Sequence, residues 1–297
     1  MKSGARDFTP TEWMIVTAAR QVQDGQVLMV GTQWPIPVAL LAKRLHAPRS
    51  VLCFEGGLIL EDLPERIPLL TGDACLPSAS SLTGDCLSAL GAVLHKGLAD
   101  LAILTAAHVD RFGNLNTTCV GPYDRPRFRF GGSGGACDFG SLAQRTLIVV
   151  EQNRIRFPAA VDFITTPGPS GGRENRRQTR ESGPRPCAAN GSRAEQSAPS
   201  LDVAYGDSDT PASRRCSTVV TTMGLFRCNE GSETVLAGFR SDLSPAQVQD
   251  QVQWKLRLSR DCGTLPDPTI DELRTLRRQV DPLGLYLSGR KQSPLSR

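Results

Sequence analysis

Apolar residues recur at helical spacing near the N-terminus, where Trp13, Val16, Ala19 and Val22 share one side of the first predicted helix. Thr9 serves as its N-cap, Pro10 takes the first helical position, and Glu12 completes a capping box. Asp24-Gly25 breaks the helix. The apolar run Val27 to Val30 then reads as a short buried strand ended by Gly31. Pro35 opens a second helix, with Val38, Leu41 and Leu45 on one face and Pro48 as its stop. Val51 to Phe54 is a second strand leading into Glu55-Gly56-Gly57. Strand, helix and strand with short links predict a parallel sheet built through right-handed crossovers.

Further strands are expected over Ala99 to Ala107, Thr146 to Val150 and Val161 to Thr165. Asp110 to Asn114 reads as a turn, with Leu115 to Val120 returning as a hairpin strand. Beyond residue 216, Val219 to Phe226 and Thr234 to Phe239 pair around a turn at Asn229 to Ser232. Capping boxes at Ser244/Gln247 and Thr269/Glu272 start two more helices. The fold class is therefore α/β, an open and mainly parallel sheet flanked by helices. Residues 8–168 and 217–287 form one domain. Residues 169–216, rich in Gly, Ser, Pro, Arg and Glu, bury too little apolar surface to offset ordering entropy and read as a flexible insertion. Residues 288–297 read as a frayed tail.

Composition changes this picture little. The 297 residues are 39% hydrophobic and 22% charged, as expected of an ordinary globular enzyme. The net charge of +4 owes much to the arginines between Arg173 and Arg215, and no basic, aromatic-bearing face suggests a nucleic-acid partner. No signal-peptide core or membrane-length apolar run is present, which makes the cytoplasm the expected location. The nine cysteines are scattered singly without metal-ligand spacing, so no metal is expected and small buried side chains are.

Two places could carry chemistry. Glu55 follows a buried strand, at the strand end where ligands of open α/β sheets collect, although a strand-end Glu also serves as a cap or salt-bridge partner. The glycines after it would let a substrate approach the backbone. The run Gly131 to Ala136 could aim several amides at one spot, or be a plain turn; it is neither a P-loop nor a dinucleotide fingerprint. His46, His95 and His108 are isolated, and Asp110 and Asp124 sit where Asp caps its own backbone.

Taken together and in order, the stretches at 25–48, 51–60 (VLCFEGGLIL), 109–136 (with FGNLN, YDRPRFRF and GGSGGA), 156–168 and 266–282 resemble the β subunit of glutaconate-type class I CoA-transferases. The resemblance implies that Glu55 is the catalytic glutamate. It also implies that Gly132, Ser133, Gly134, Gly135 and Ala136 form the loop whose amides face the thioester. It implies transfer of CoA from an acyl-CoA to a carboxylic acid through a glutamyl-CoA thioester. Coenzyme A would be a substrate, with no cofactor. A separate α subunit would complete an αβ heterodimer or higher heteromer, without nucleic acid or membrane. The alternative on the same fold is a CoA-thioester hydrolase, decarboxylase or ring-opening enzyme.

Overall fold

Thr9 accepts from the Glu12 amide and Glu12 returns the bond to the Thr9 amide, starting helix α1 (Pro10–Ala19). The strands β1 (Val27–Val30) and β2 (Val51–Cys53) flank α2 (Pro35–Leu45) as a parallel pair, in register Val27 to Val51. The computed structural model describes residues 7–169, 216–229 and 233–287. The insertion expected at 169–216 and the tail at 288–297 lie almost wholly outside the described residues.

A short return strand β3 (Leu58–Leu60) and β4 (Leu82–Thr83) form one antiparallel edge. The chain then runs through a π-helical segment (Leu87–Leu94) into β5 (Leu101–Leu104), which joins β1 in parallel. Two small ribbons follow. One pairs β6 (His108–Val109) with β7 (Leu115–Asn116), and the other pairs β8 (Cys119–Val120) with β9 (Phe128–Arg129). Helix α3 (Ala136–Leu142) leads into β10 (Arg145–Val150), parallel to β5 and to β11 (Cys216–Thr221). The strands β12 (Gly224–Asn229) and β13 (Val235–Phe239) return antiparallel. Helix α4 (Pro245–Gln249) and β14 (Arg257–Thr264) precede α5 (Ile270–Thr275), which continues as a π-turn to Val280. The ten-stranded sheet has the order β14-β13-β12-β11-β10-β5-β1-β2-β3-β4, and its five central strands are all parallel.

Those central strands are buried on both faces, as helix-covered parallel sheets require. Leu28, Val30, Leu52, Ile103, Leu147 and Val149 pack toward α1 and α2. Met29, Cys53, Ala102, Leu104, Ile148 and Val150 fill the opposite face, which α3 and the π-helical segment cover. Among the described residues, no helix is long and apolar enough to cross a membrane.

Three expectations need correction. Val161 to Thr165 forms no strand; its neighbour Thr166 makes only an isolated bridge to Leu115. The polar groups here bond elsewhere, with Thr165 Oγ1 accepting from the Thr117 amide and Asp162 Oδ2 from the Gly121 amide. Leu115 to Val120 is not one strand, because Asn116 Oδ1 accepts from the Thr118 and Cys119 amides and turns the chain. Val219 to Phe226 is two strands rather than one: Thr221 Oγ1 accepts from the Met223 and Gly224 amides and closes a hairpin. The cysteines divide as well. Cys53, Cys119 and Cys228 are buried, but Cys86 and Cys137 are exposed.

The first and last described helices are locked reciprocally. Arg277 grips Glu12, the capping-box residue of α1, with Nη2 at 2.9 Å from Oε2. Arg20 forks onto Glu272, the capping-box residue of α5, at 2.8 and 2.7 Å. Burial opposes the charge on both glutamates, yet the arginine and cap hydrogen bonds outweigh it and hold both carboxyls below the usual range. A depressed folded pKa adds stability above the unfolded value of about 4.3, lost as pH falls through the folded value. Replacing Glu12 by Gln should therefore cost about 1–3 kcal/mol near neutral pH. Urea titrations should show that deficit shrinking as pH falls below about 4.3 and through the lowered folded value.

Candidate active site

Glu55 stands on the turn between β2 and β3. The Gly57 amide donates to Phe54 O at 3.0 Å, and the Phe54 amide to Leu58 O at 2.9 Å. Gly57 has φ +93°, and a Cβ there would lie 2.3 Å from the Asp85 amide nitrogen. The glycine after the glutamate thus admits the segment Gly84–Asp85, which donates back to Gly57 O at 2.9 Å. At Gly57 that close neighbour is the chain itself. The turn presents the Glu55 side chain, half-buried, beyond the carboxyl ends of the parallel strands.

The glycine loop meets it there. Gly132 and Gly134 take φ +96° and +48°, and this path aims the Gly135 amide at Glu55 Oε2, 2.8 Å away. No other hydrogen bond or ion pair to this carboxylate occurs among the described residues, which leaves Oε1 uncoordinated. The five loop residues are not equivalent. The Gly132 amide is spent on Thr117 O at 2.9 Å and the Ala136 amide on Ser133 O at 3.0 Å, so these two donors are removed from the expected set. The amides of Ser133 and Gly134 donate to no acceptor among the described residues. Ser133 Oγ and Thr117 Oγ1 are buried without a partner.

Glu55, Gly132, Ser133, Gly134 and Ala136 line one cavity of about 660 Å³. Its walls are the ends of four neighbouring strands: Gly31 and Gln33 after β1, Glu55 after β2, Leu104 to His108 after β5, and Ile155 and Arg156 after β10. Phe128 and Phe130 of the β8–β9 ribbon and Phe139 of α3 add apolar surface. Gly31 fits because its backbone runs against β5, where a Cβ would sit 2.9 Å from Ile103 O. The β6–β7 ribbon, which carries His108, is shaped by the Asp110–Asn114 turn: Asp110 Oδ1 accepts from the Phe112 and Asn114 amides, and Asn114 Oδ1 from the Gly168 amide. Asp110 therefore acts on its own backbone, as its turn setting predicted. His46 and His95 lie away from the cavity lining, but His108 belongs to it, and Arg156 is a wall residue that sequence reasoning did not single out. Neither carries a recognisable local motif. Among the described residues, no three His, Cys, Asp or Glu side chains converge as metal ligands would.

A carboxylate and a glycine loop, set over an open cavity at the carboxyl ends of parallel strands, define an α/β enzyme of the sheet-edge kind. The coenzyme A transferase family model matches residues 11–181. Over 275 residues the chain is 30% identical to the B subunit of 3-oxoadipate CoA-transferase from Pseudomonas knackmussii, covering 91% of this chain and 92% of that one. It is 28% identical to the B subunit of glutaconate CoA-transferase from Acidaminococcus fermentans, covering 93% and 94%. The crystal structure of glutaconate coenzyme A-transferase from that organism superposes with a TM-score of 0.73 at 27% identity, over 94% of this chain and 97% of that one. The decarboxylase AibA/AibB, at 21% identity and a TM-score of 0.72, shares the fold. The chain belongs to the coenzyme A transferase family.

Gly135 has no room for a side chain, since a Cβ would stand 2.8 Å from Glu55 Oε2 and 3.1 Å from Phe139 Cε1. Gly135→Ala should displace the Glu55 carboxylate and lower kcat by about 100-fold. Its melting temperature should move little. Gly57→Ala combines a left-handed backbone with a main-chain clash and should cost about 2–4 kcal/mol in urea denaturation.

Proposed function

We propose that Glu55 is the nucleophile of a CoA transfer running through a covalent glutamyl-CoA thioester. The observation that carries the reading is the 2.8 Å bond from the Gly135 amide to one carboxylate oxygen, which leaves the other free above the cavity. In the first step the free oxygen attacks the thioester carbonyl of an acyl-CoA. The C–S bond breaks, CoA leaves as the thiolate, and a mixed anhydride forms on Glu55. The thiolate then attacks the glutamyl carbonyl, the donor acid departs as its carboxylate, and CoA is held as a thioester on Glu55. An acceptor carboxylate runs the same two steps in reverse. No net proton moves, and the free energy of the thioester is retained in the anhydride. The unengaged amides of Ser133 and Gly134 suit the oxyanion that develops at each addition. One such donor is worth about 3–4 kcal/mol of barrier.

The chain supplies every covalent step without a cofactor, coenzyme A being a substrate. Two large apolar side chains at the cavity, Phe128 and Ile155, are 59% and 76% exposed, which suits closure of the mouth by an α subunit in an αβ heteromer. The relatives are named for glutaconate and 3-oxoadipate, both carboxylic acids, and a small carboxylic acid is the acceptor class we assign. We assign the activity to the cytoplasm, where acyl-CoA thioesters are metabolised.

The αβ complex incubated with an acyl-CoA should gain the mass of CoA on the peptide bearing Glu55. Glu55→Ala should lose both the adduct and at least about 10⁴-fold of transfer activity. Full activity in that variant, or steady release of free acid without an acceptor, would replace transfer by thioester hydrolysis or decarboxylation.

A further inference from the structure

A second recess, of about 250 Å³, opens at the amino end of the sheet beside the last turn of α1. Arg20 and Gln21 from the end of that helix form one wall, and Arg145, Thr218 and Arg227 of the sheet form the other. Strand register brings the sheet residues together. Thr218 of β11 pairs with Leu147 of β10 on one side and with Arg227 of β12 on the other. Arg145 lies two residues before Leu147, on the same face of the sheet. The two arginines therefore flank Thr218 from strands about 10 Å apart, within reach of one small ligand.

The charges in this recess are not balanced. Arg20 is fully engaged: Nε and Nη2 hold Glu272 at 2.8 and 2.7 Å, while Nη1 and Nη2 also donate to Pro266 O and Asp267 O. Arg145 Nη2, by contrast, is buried without a hydrogen-bond partner. Arg227 is exposed at the mouth and enters no ion pair among the described residues. Neither arginine caps α1, because the Ala18 and Ala19 carbonyls already accept from the Gln21 and Val22 amides at 2.9 and 3.1 Å. A buried charged donor without an acceptor is destabilising, and an anion entering the recess would remove that penalty.

We propose that this recess binds a small phosphate-class oxyanion, held between the Arg145 and Arg227 guanidiniums above Thr218. Guanidinium forks match phosphate oxygens bidentately, and two unpaired positive charges balance a phosphate dianion. Pockets for drug-sized ligands run from about 300 to 1,000 Å³, so the smaller volume here suits an anion the size of inorganic phosphate. The site is separate from the catalytic cavity. Strand β10 starts in the recess at Arg145 and runs about 17 Å to Val150, still short of Ile155 and Arg156 in the cavity wall. An anion held at Arg145 therefore lies out of reach of Glu55, and the inference stands independently of the transfer reading.

The test is calorimetric titration of the αβ complex with inorganic phosphate, at fixed ionic strength in chloride. Binding should saturate with a Kd on the order of 1 mM or tighter. Arg145→Met and Arg227→Gln should each weaken it at least about tenfold, and Glu55→Ala should leave it unchanged. Phosphate should raise the melting temperature of the wild type. Arg145→Met should abolish that rise without lowering the melting temperature in phosphate-free chloride, since methionine fills the space and brings no charge to pair. Arg227 is exposed, so its variant keeps the fold and reads the site even if Arg145→Met does not. No saturable binding, or equal binding in the wild type and both variants, would overturn the proposal. A wild type indifferent to phosphate, with Arg145→Met less stable than it, would mean that a carboxylate of the α subunit fills the recess. Phosphate that competes with acyl-CoA, with a raised KM for acyl-CoA in both variants, would assign the arginines to CoA itself. Either result overturns the proposal.

Discussion

One amide holds the Glu55 carboxylate in place, and it comes from a residue 80 positions further along the chain. Glu55 is carried by a hairpin turn at the carboxyl edge of the sheet, and Gly135 by a loop that enters a short helix on the sheet's far face. Neither segment fixes the other locally. The bond depends on β1, β2, β5 and β10 lying side by side in parallel, because that order brings the two connections to one rim.

Packing density sets how exact the rim must be. Gly57 touches the main chain of Gly84 and Asp85, Gly31 touches Ile103, and Gly135 touches Glu55 and Phe139. At each point a missing Cβ allows two backbones, or a backbone and a carboxylate, to meet at hydrogen-bond range. The loop divides its amides accordingly. Gly132 and Ala136 spend theirs on the loop's own shape, Gly135 orients the carboxylate, and Ser133 and Gly134 keep theirs. A rigid loop with a few free donors is what stabilising a transient oxyanion requires, since donors fixed beforehand need no reorganisation during reaction.

The first and last described helices support this arrangement from the opposite side. The two reciprocal arginine–glutamate pairs join the first and last helices over α2, on the face away from the cavity. Each glutamate serves two purposes, completing a cap and receiving an arginine. The N-terminal helix is thereby sealed against the C-terminal one, and the central strands are shielded on that side while their far edge stays open to ligands.

Much of the scaffold was legible in the sequence. All three capping boxes are present as read, and the strands read at 27–30, 51–54 and 146–150 form over 27–30, 51–53 and 145–150, because cap chemistry and short apolar runs act locally. Elements whose bonds go to side chains were not legible: the hairpin inside 219–226 and the split at Asn116 each turn on one side-chain oxygen that captures neighbouring amides, and at 161–165 the Asp162 and Thr165 side chains bond distant amides instead of forming a strand. Local residue order was enough to put a glutamate after a buried strand and to give a glycine loop amides to offer. Which amide meets the carboxylate, and that His108 and Arg156 share its cavity, emerged only from the folded chain, because strand order, unlike strand composition, is set by contacts between residues far apart in the sequence.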